Sequence, residues 1–234
     1  MIVGGIDIEV ARKAIKHTHL SVFPPDARVH VSAPVDLSDA DLRSFLVSKL
    51  PWMRRQIAAV RAQPRQARRE YESGESIYLL GTRHRLTVRR NEEAPTVRKE
   101  GTMIVLSGRG LESRAVRETK IAEWSRGELK RVLARLLVRS MTAAGESSDV
   151  TFEVRRMRNL WGACNARKRR IRFNLALVRV PIRCIEYVVV HEVVHLVVPN
   201  HAALFEKLMD ARLPRWREIR RELNSFIALP IGEV

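Results

Sequence analysis

"HEVVHLVVPNH", His191 to His201, sets three histidines and one glutamate into an otherwise apolar run. Valine favours strands, so the stretch can be read as a buried strand. Its histidines argue otherwise. In a strand, positions i and i+4 lie about 13 Å apart, from a rise of about 3.3 Å per residue. Metal–nitrogen bonds are only about 2 Å long, so one ion cannot reach both. In a helix, i and i+4 stand one above the other on the same face. His191 and His195 then chelate one Zn²⁺, and Glu192 points at a water on that ion as general base, the H-E-x-x-H arrangement.

Two histidines leave a catalytic zinc one protein ligand short. His201 lies six residues after His195, a spacing that also occurs in longer motifs of the form H-E-x-x-H-x-x-G-x-x-H. Where those motifs place a glycine, this chain has Val198, followed by Pro199 and Asn200. Proline ends a helix by another route, and asparagine tolerates unusual backbone angles. His201 is the favoured third ligand; Glu206, Asp210, Glu218 and Glu222 are its rivals downstream. The expected cofactor is Zn²⁺. A carboxylate among valines is expensive as packing alone, and a metal and its water would give Glu192 partners.

Upstream, "RIRFN" (170–174) and "FEVRRM" (152–157) read as paired strands around a loop, and helices broken at Pro181, Pro199 and Pro214 follow. Residues 114–144 read as a long helix capped by Gly145. Residues 76–108 read as two or three antiparallel strands with turns near Gly81, Asn91–Pro95 and Gly101. Residues 6–35 read as short strands around a Pro-Pro-Asp turn. A helix over 39–62, capped by Ser38, should be kinked or divided at Pro51. Residues 64–75 look like a polar connection. No internal repeat is visible.

The wider stretch "VRRMRNLWGACNARKRRIRFNLALVRVPIRCIEYVVVHEVVHLVVPNHAALFEKLM" resembles the YgjP-like (WLM-type) metallopeptidase family, a minimal zincin-like group. The residues that carry the likeness are Trp161-Gly162 with Cys164, Asn174-Leu175, Pro181, Tyr187-Val188 ahead of His191-Glu192, and Asn200-His201 followed by Phe205. "VSAPVDLSDADLRSFLVSKLPWM" and "YESGESIYLLGTRHRL" look like that family's N-terminal half. Ala163 stands where the family often has Ser, and Val193-Val194 where it commonly has Leu-Ala. The resemblance implies a zinc-dependent hydrolase acting on proteins or peptides, with His191, His195 and His201 as ligands and Glu192 as base. Trp161–Cys164 is either packing beneath the site or an edge strand that holds an extended peptide. Asn174 reads as a cap or turn residue. Tyr187, His84 and many arginines compete for the role of oxyanion donor.

The expected class is α+β: an N-terminal mixed region with antiparallel strands (1–112), then a mostly helical zincin-like core (113–234), the two making one compact unit. Cys164 and Cys184 do not make a disulfide framework, no signal pattern opens the chain, and no run of about 18 apolar residues exists. A cytoplasmic protein with no membrane span is expected. The net charge of +17 favours attraction to polyanions. It admits two other readings: a DNA-associated SprT-like protease, or a non-catalytic nucleic-acid-binding module with a structural metal. The runs 54–69 and 167–174 are the candidate contacts for non-specific nucleic-acid binding.

Overall fold

The computed structural model describes residues 1–23, 26–62, 69–147, 149–157 and 160–226. Pro24 and Pro25 of the expected turn, and residues 64–68 of the expected polar connection, lie outside the described residues. The chain is α+β and divides into two compact units, Met1–Ala67 and Arg68–Val234.

In the first unit, β1 (Ile2–Val3), β2 (Ile6–Lys13), β3 (His19–Phe23) and β4 (Arg28–Pro34) form one sheet in the order β1-β2-β4-β3. β2 and β4 run parallel; the outer pairs are antiparallel. The inward residues Ile8, Val29, Val31 and Ala33 pack against Leu42, Leu46 and Met53 of α1 (Asp39–Ser48) and α2 (Leu50–Ala62). The Ser38 hydroxyl accepts from the Asp41 N–H and starts α1, as a helix cap should. The expected single helix is divided at Lys49, with Pro51 in the first turn of α2, where its missing N–H leaves no bond unmade.

The second unit opens with β5 (Ser76–Leu79), β6 (Thr82–Arg90), β7 (Thr96–Glu100) and β8 (Met103–Gly108), in the order β5-β6-β8-β7. Here too the inner pair, β6 and β8, is parallel, where antiparallel strands were expected throughout. The order and directions repeat those of β1–β4. The fold therefore contains a repeat that the sequence does not show, because different residues fill equivalent places.

α3 (Arg114–Ala144) follows and ends on Gly145 in the left-handed conformation, φ 65°. β9 (Thr151–Arg155), β10 (Gly162–Asn165) and β11 (Arg170–Asn174) make a three-stranded sheet in the order β10-β11-β9. β9 and β11 pair in parallel, and β10 is an antiparallel edge strand within what reads from sequence as a loop. A 3-10 turn (Leu175–Arg179), α4 (Ile182–His195), α5 (Ala203–Arg212) and α6 (Trp216–Ser225) complete the unit, broken at the three expected prolines.

Leu86, Ile104 and Leu106 of the sheet share one core with Ile121, Leu129 and Leu133 of α3 and with Val189 and Val193 of α4. The boundary expected at 112/113 falls inside this core. The strands before it and the helix after it bury the same apolar surface, so they form one unit. Among the described residues, no helix is long and apolar enough to cross a membrane.

Candidate metal centre

α4 carries the first two histidines. It is helical although rich in β-branched valine, because Cys184, Ile185, Val188, Val189, Val190, Val193 and Val194 bury it nearly all round. Packing on several sides outweighs the weak intrinsic preference. The start of α4 is propped from the sheet β5–β8. The Leu80 N–H donates to the Val178 carbonyl at 2.6 Å. A Cβ on Gly81 would lie 2.8 Å from the Cα of Pro181, the residue that caps α4. Only glycine fits there, and its φ of 83° is one that glycine adopts without strain.

At the other end, Pro199 has no N–H to donate, and the chain turns to bring His201 back. The Nε2 atoms of His195 and His201 each lie 3.2 Å from Nε2 of His191. The coordinating atoms of all three lie within 4.8 Å of one another. Tetrahedral zinc with bonds of 2.0–2.1 Å requires nitrogen–nitrogen separations of about 3.3 Å. Two of the three separations therefore match such an ion. His195 Nδ1 lies 2.9 Å from the Val198 carbonyl. That contact assigns the proton to Nδ1 and leaves the Nε2 lone pair facing its two neighbours. Phe205 of α5 forms the apolar backing, with its ring centre 4.6–4.9 Å from all three imidazoles.

Electrostatics favour neutral, metal-competent imidazoles. Burial pushes His191 down to about 3, and the neighbouring His195 and His201 and the Arg220 charge push the same way. Burial first, then His195 and Arg220, also lowers His201. A metal ligand must be unprotonated, so these shifts suit coordination.

Glu192 is the next residue round the helix. It is 4% exposed, and its Oε2 has no hydrogen-bond partner. Burial raises its pKa to about 8, the range of a base that works near neutrality. β10 passes so close that a Cβ on Gly162 would come within 2.5 Å of Glu192 Oε1. Gly162 thus makes room for the carboxylate.

The four rival ligands are occupied elsewhere. Glu206 and Asp210 pair with Arg217, Glu218 with Arg215 and Glu222 with Arg183. His84 stays in β6 with Nδ1 on the Thr82 carbonyl. The Asn174 side chain caps the 3-10 turn and holds the Met157 and Leu160 carbonyls, a structural task. The thiol of Cys164 is raised to about 11 by burial and the Glu192 charge, which leaves little thiolate to bind a metal.

The profile of the YgjP-like metallopeptidase domain matches residues 17–226. The chain belongs to the YgjP-like metallopeptidase family. Its members are peptidases, so the enzyme is a hydrolase of proteins or peptides that uses a metal, and the histidine cluster is the group among the described residues able to hold one. No curated protein matches the chain significantly. Among solved structures, the metallopeptidase zymogen jannalysin of Methanocaldococcus jannaschii aligns at 15% identity and a TM-score of 0.37. The alignment covers 40% of this chain and 88% of that one.

Two features of this YgjP-like site escape a sequence reading. Trp216 lies parallel to the Tyr187 ring, with centres 6.4 Å apart, and Tyr187 leans on His191 at 5.7 Å. The Trp216 Nε1–H donates to Asp210, and the Arg217 guanidinium covers the indole at 4.4 Å. The signal was Trp216 and Arg220, four residues apart on one helical face. Without the tertiary fold, nothing connects that face to the histidines.

Proposed function

We propose that the protein is a zinc-dependent peptidase in which His191, His195 and His201 hold the ion and Glu192 is the general base. One observation carries the reading: three imidazole nitrogens converge beside a buried, unpartnered carboxylate on the same helix. An all-imidazole donor set suits zinc better than it suits magnesium or calcium, which take oxygen ligands. Bound there, zinc would polarise a scissile carbonyl and lower the pKa of a coordinated water. The chain's own residues supply the rest. Glu192 takes a proton from the attacking water and later delivers it to the leaving amine. Gly162 keeps the carboxylate in place by leaving it room. His195 is oriented by the Val198 carbonyl. His201 is exposed and leaves the cluster open to solvent on its side.

The test pairs metal content with turnover. Glu192→Gln should keep about one zinc per chain, as a three-ligand site requires, and lose peptide hydrolysis by a factor on the order of 10³. His191→Ala, His195→Ala and His201→Ala should each lose most of the zinc. Unchanged turnover in Glu192→Gln would remove the base from its role. Full zinc in His201→Ala would remove the third ligand.

A further inference from the structure

α6 carries three arginines and begins on a fourth, Arg215, and they are not equivalent. Arg215 pairs with Glu218, and Arg217 with Glu206 and Asp210. Arg220 and Arg221 make no ion pair or hydrogen bond among the described residues. Placement on the helix separates these two. Trp216 and Leu223 face inward and are buried. Arg220 is four residues after Trp216 and three before Leu223, on that same side, and Arg221 is turned away. α6 runs antiparallel to α4: Trp216 stacks on Tyr187, while Glu222 bonds Arg183 one turn earlier on α4. A helical side chain leans toward its own helix's N-terminus. From Arg220, that direction leads past Trp216 toward Tyr187 and the histidines.

The Arg220 charge acts on those groups. It depresses His191 and His201 as a lesser influence after burial and the neighbouring histidines. It also opposes the upward push that burial gives Tyr187. Arg220 is exposed, so its unpaired guanidinium is free to reach along α6 toward Tyr187 and the metal site. Its long stem and five fixed N–H donors suit an oxygen that carries negative charge.

We propose that Arg220 is a catalytic residue, the oxyanion donor of this site. The inference rests on the peptidase reading above. As the water oxygen bonds to the scissile carbonyl carbon, the C=O π pair moves onto the carbonyl oxygen. Arg220 donates an N–H hydrogen bond to that oxygen and transfers no proton. When the pair returns, the C–N bond breaks, and the proton held by Glu192 goes to the amine nitrogen. A donor aimed at charge that exists only in the transition state raises kcat without tightening substrate binding.

The experiment uses the full-length, zinc-loaded chain with Arg220→Ala, Arg220→Lys and the neighbour Arg221→Ala as control. A fluorogenic peptide gives kcat and KM. A peptide phosphonate, with a tetrahedral anionic phosphorus in place of the scissile carbonyl, reports oxyanion recognition. The same peptide with a neutral ketomethylene group reports ordinary binding. Arg220→Ala should retain its zinc and lose kcat by about 100-fold. KM and ketomethylene affinity should stay within about 3-fold, because ground-state contacts are untouched. Phosphonate affinity should fall in step with kcat. Arg220→Lys should recover part of both losses, as a point charge without the planar fork. Arg221→Ala should behave as the parent. A raised KM with kcat kept, a loss of zinc, or parental phosphonate affinity in Arg220→Ala each overturns the assignment. If the parent cleaves no peptide, the peptidase reading fails by itself. The phosphonate comparison then still decides whether Arg220 faces an oxyanion.

Discussion

The sheets β1–β4 and β5–β8 are built alike. Each has two outer antiparallel pairs, a parallel inner pair, and the order first-second-fourth-third. Each opens on a two-residue hairpin with both residues at positive φ: Gly4 and Gly5 at 56° and 80°, Leu80 and Gly81 at 51° and 83°. That is the turn whose twist matches the flanking strands. Their surroundings differ. A Cβ on Gly5 would meet nothing within 4 Å, whereas one on Gly81 would strike the backbone of Pro181. The first sheet packs against α1 and α2 through an apolar core. The second supports α4. All the buried polar and charged side chains among the described residues, from His84 to Glu192, lie in the second unit. One architecture serves as a self-contained module in one place and as the footing of a metal site in the other. Leu80 shows the difference at residue level. A leucine in the left-handed region costs on the order of 1 kcal/mol. Its N–H bond to Val178 fixes the turn where α4 begins.

The largest expected effect comes from testing that footing directly. Gly81→Val adds a clash with the Pro181 backbone to a strained φ and should destabilise the second unit by upwards of about 4 kcal/mol. It should also lower zinc content by displacing α4. Gly5→Val, at the equivalent turn, should cost only about 1–2 kcal/mol in the first unit and leave the zinc in place. Urea unfolding with metal analysis separates the two. Equal effects would mean that the turns are equivalent after all.

The second effect is electrostatic and belongs to the second unit alone. In metal-stripped protein, Glu192 holds its proton up to about 8, against 4.5 for an ordinary glutamate. Between those values the unfolded chain binds fewer protons than the folded one, so stability falls as pH rises. The loss begins above about 4.5 and is complete above about 8. Stripped Glu192→Gln should therefore be more stable than stripped parent at pH 8, by on the order of 2–4 kcal/mol. The two should converge toward pH 4.5. Thermal unfolding at both pH values checks this; a constant gap would show that Glu192 is not the titrating group.

The smallest effect compares the turns before β4 and β8. Ala27 and Gly101 share the same left-handed backbone, φ 56° and 57°. A Cβ on Gly101 would meet open space, so Gly101→Ala should cost only its backbone strain, about 1 kcal/mol. Ala27→Gly should stay within about 1 kcal/mol of the parent, because relief of the same strain is offset by loss of a buried methyl. A large change at either position would show that the turns carry contacts beyond their own backbone.

Much of this architecture was legible because it rests on local chemistry. The Ser38 cap, the break before Pro51, the Gly145 terminus and the proline breaks in the last helices are each set by a few neighbouring residues. So was the histidine spacing, where bond length and helix pitch leave one solution. β10 was not legible, because only four residues pair and its partner comes later in the chain. The repeat was hidden because β2 and β6 keep the same pleat with different residues. The charge run at 167–170 looked like a free basic patch, yet Arg169 pairs with Glu146 and Asp149, and Arg170 with Glu153. Arg167 and Lys168 are left as the cations of that run without an ion pair among the described residues.

Pro199 has a consequence for how tightly the site can hold its ion. A residue before proline is held away from the helical region, so Val198 has fewer conformations to explore than it would before any other residue. Val198 carries the carbonyl that fixes His195. Its N–H is also tied, to the Val194 carbonyl at 2.9 Å. The ring of one proline thus constrains the carbonyl that orients His195. Most of the ordering entropy is spent when the chain folds and little when the ion arrives, so the affinity of the site is set partly by a residue that never touches the metal.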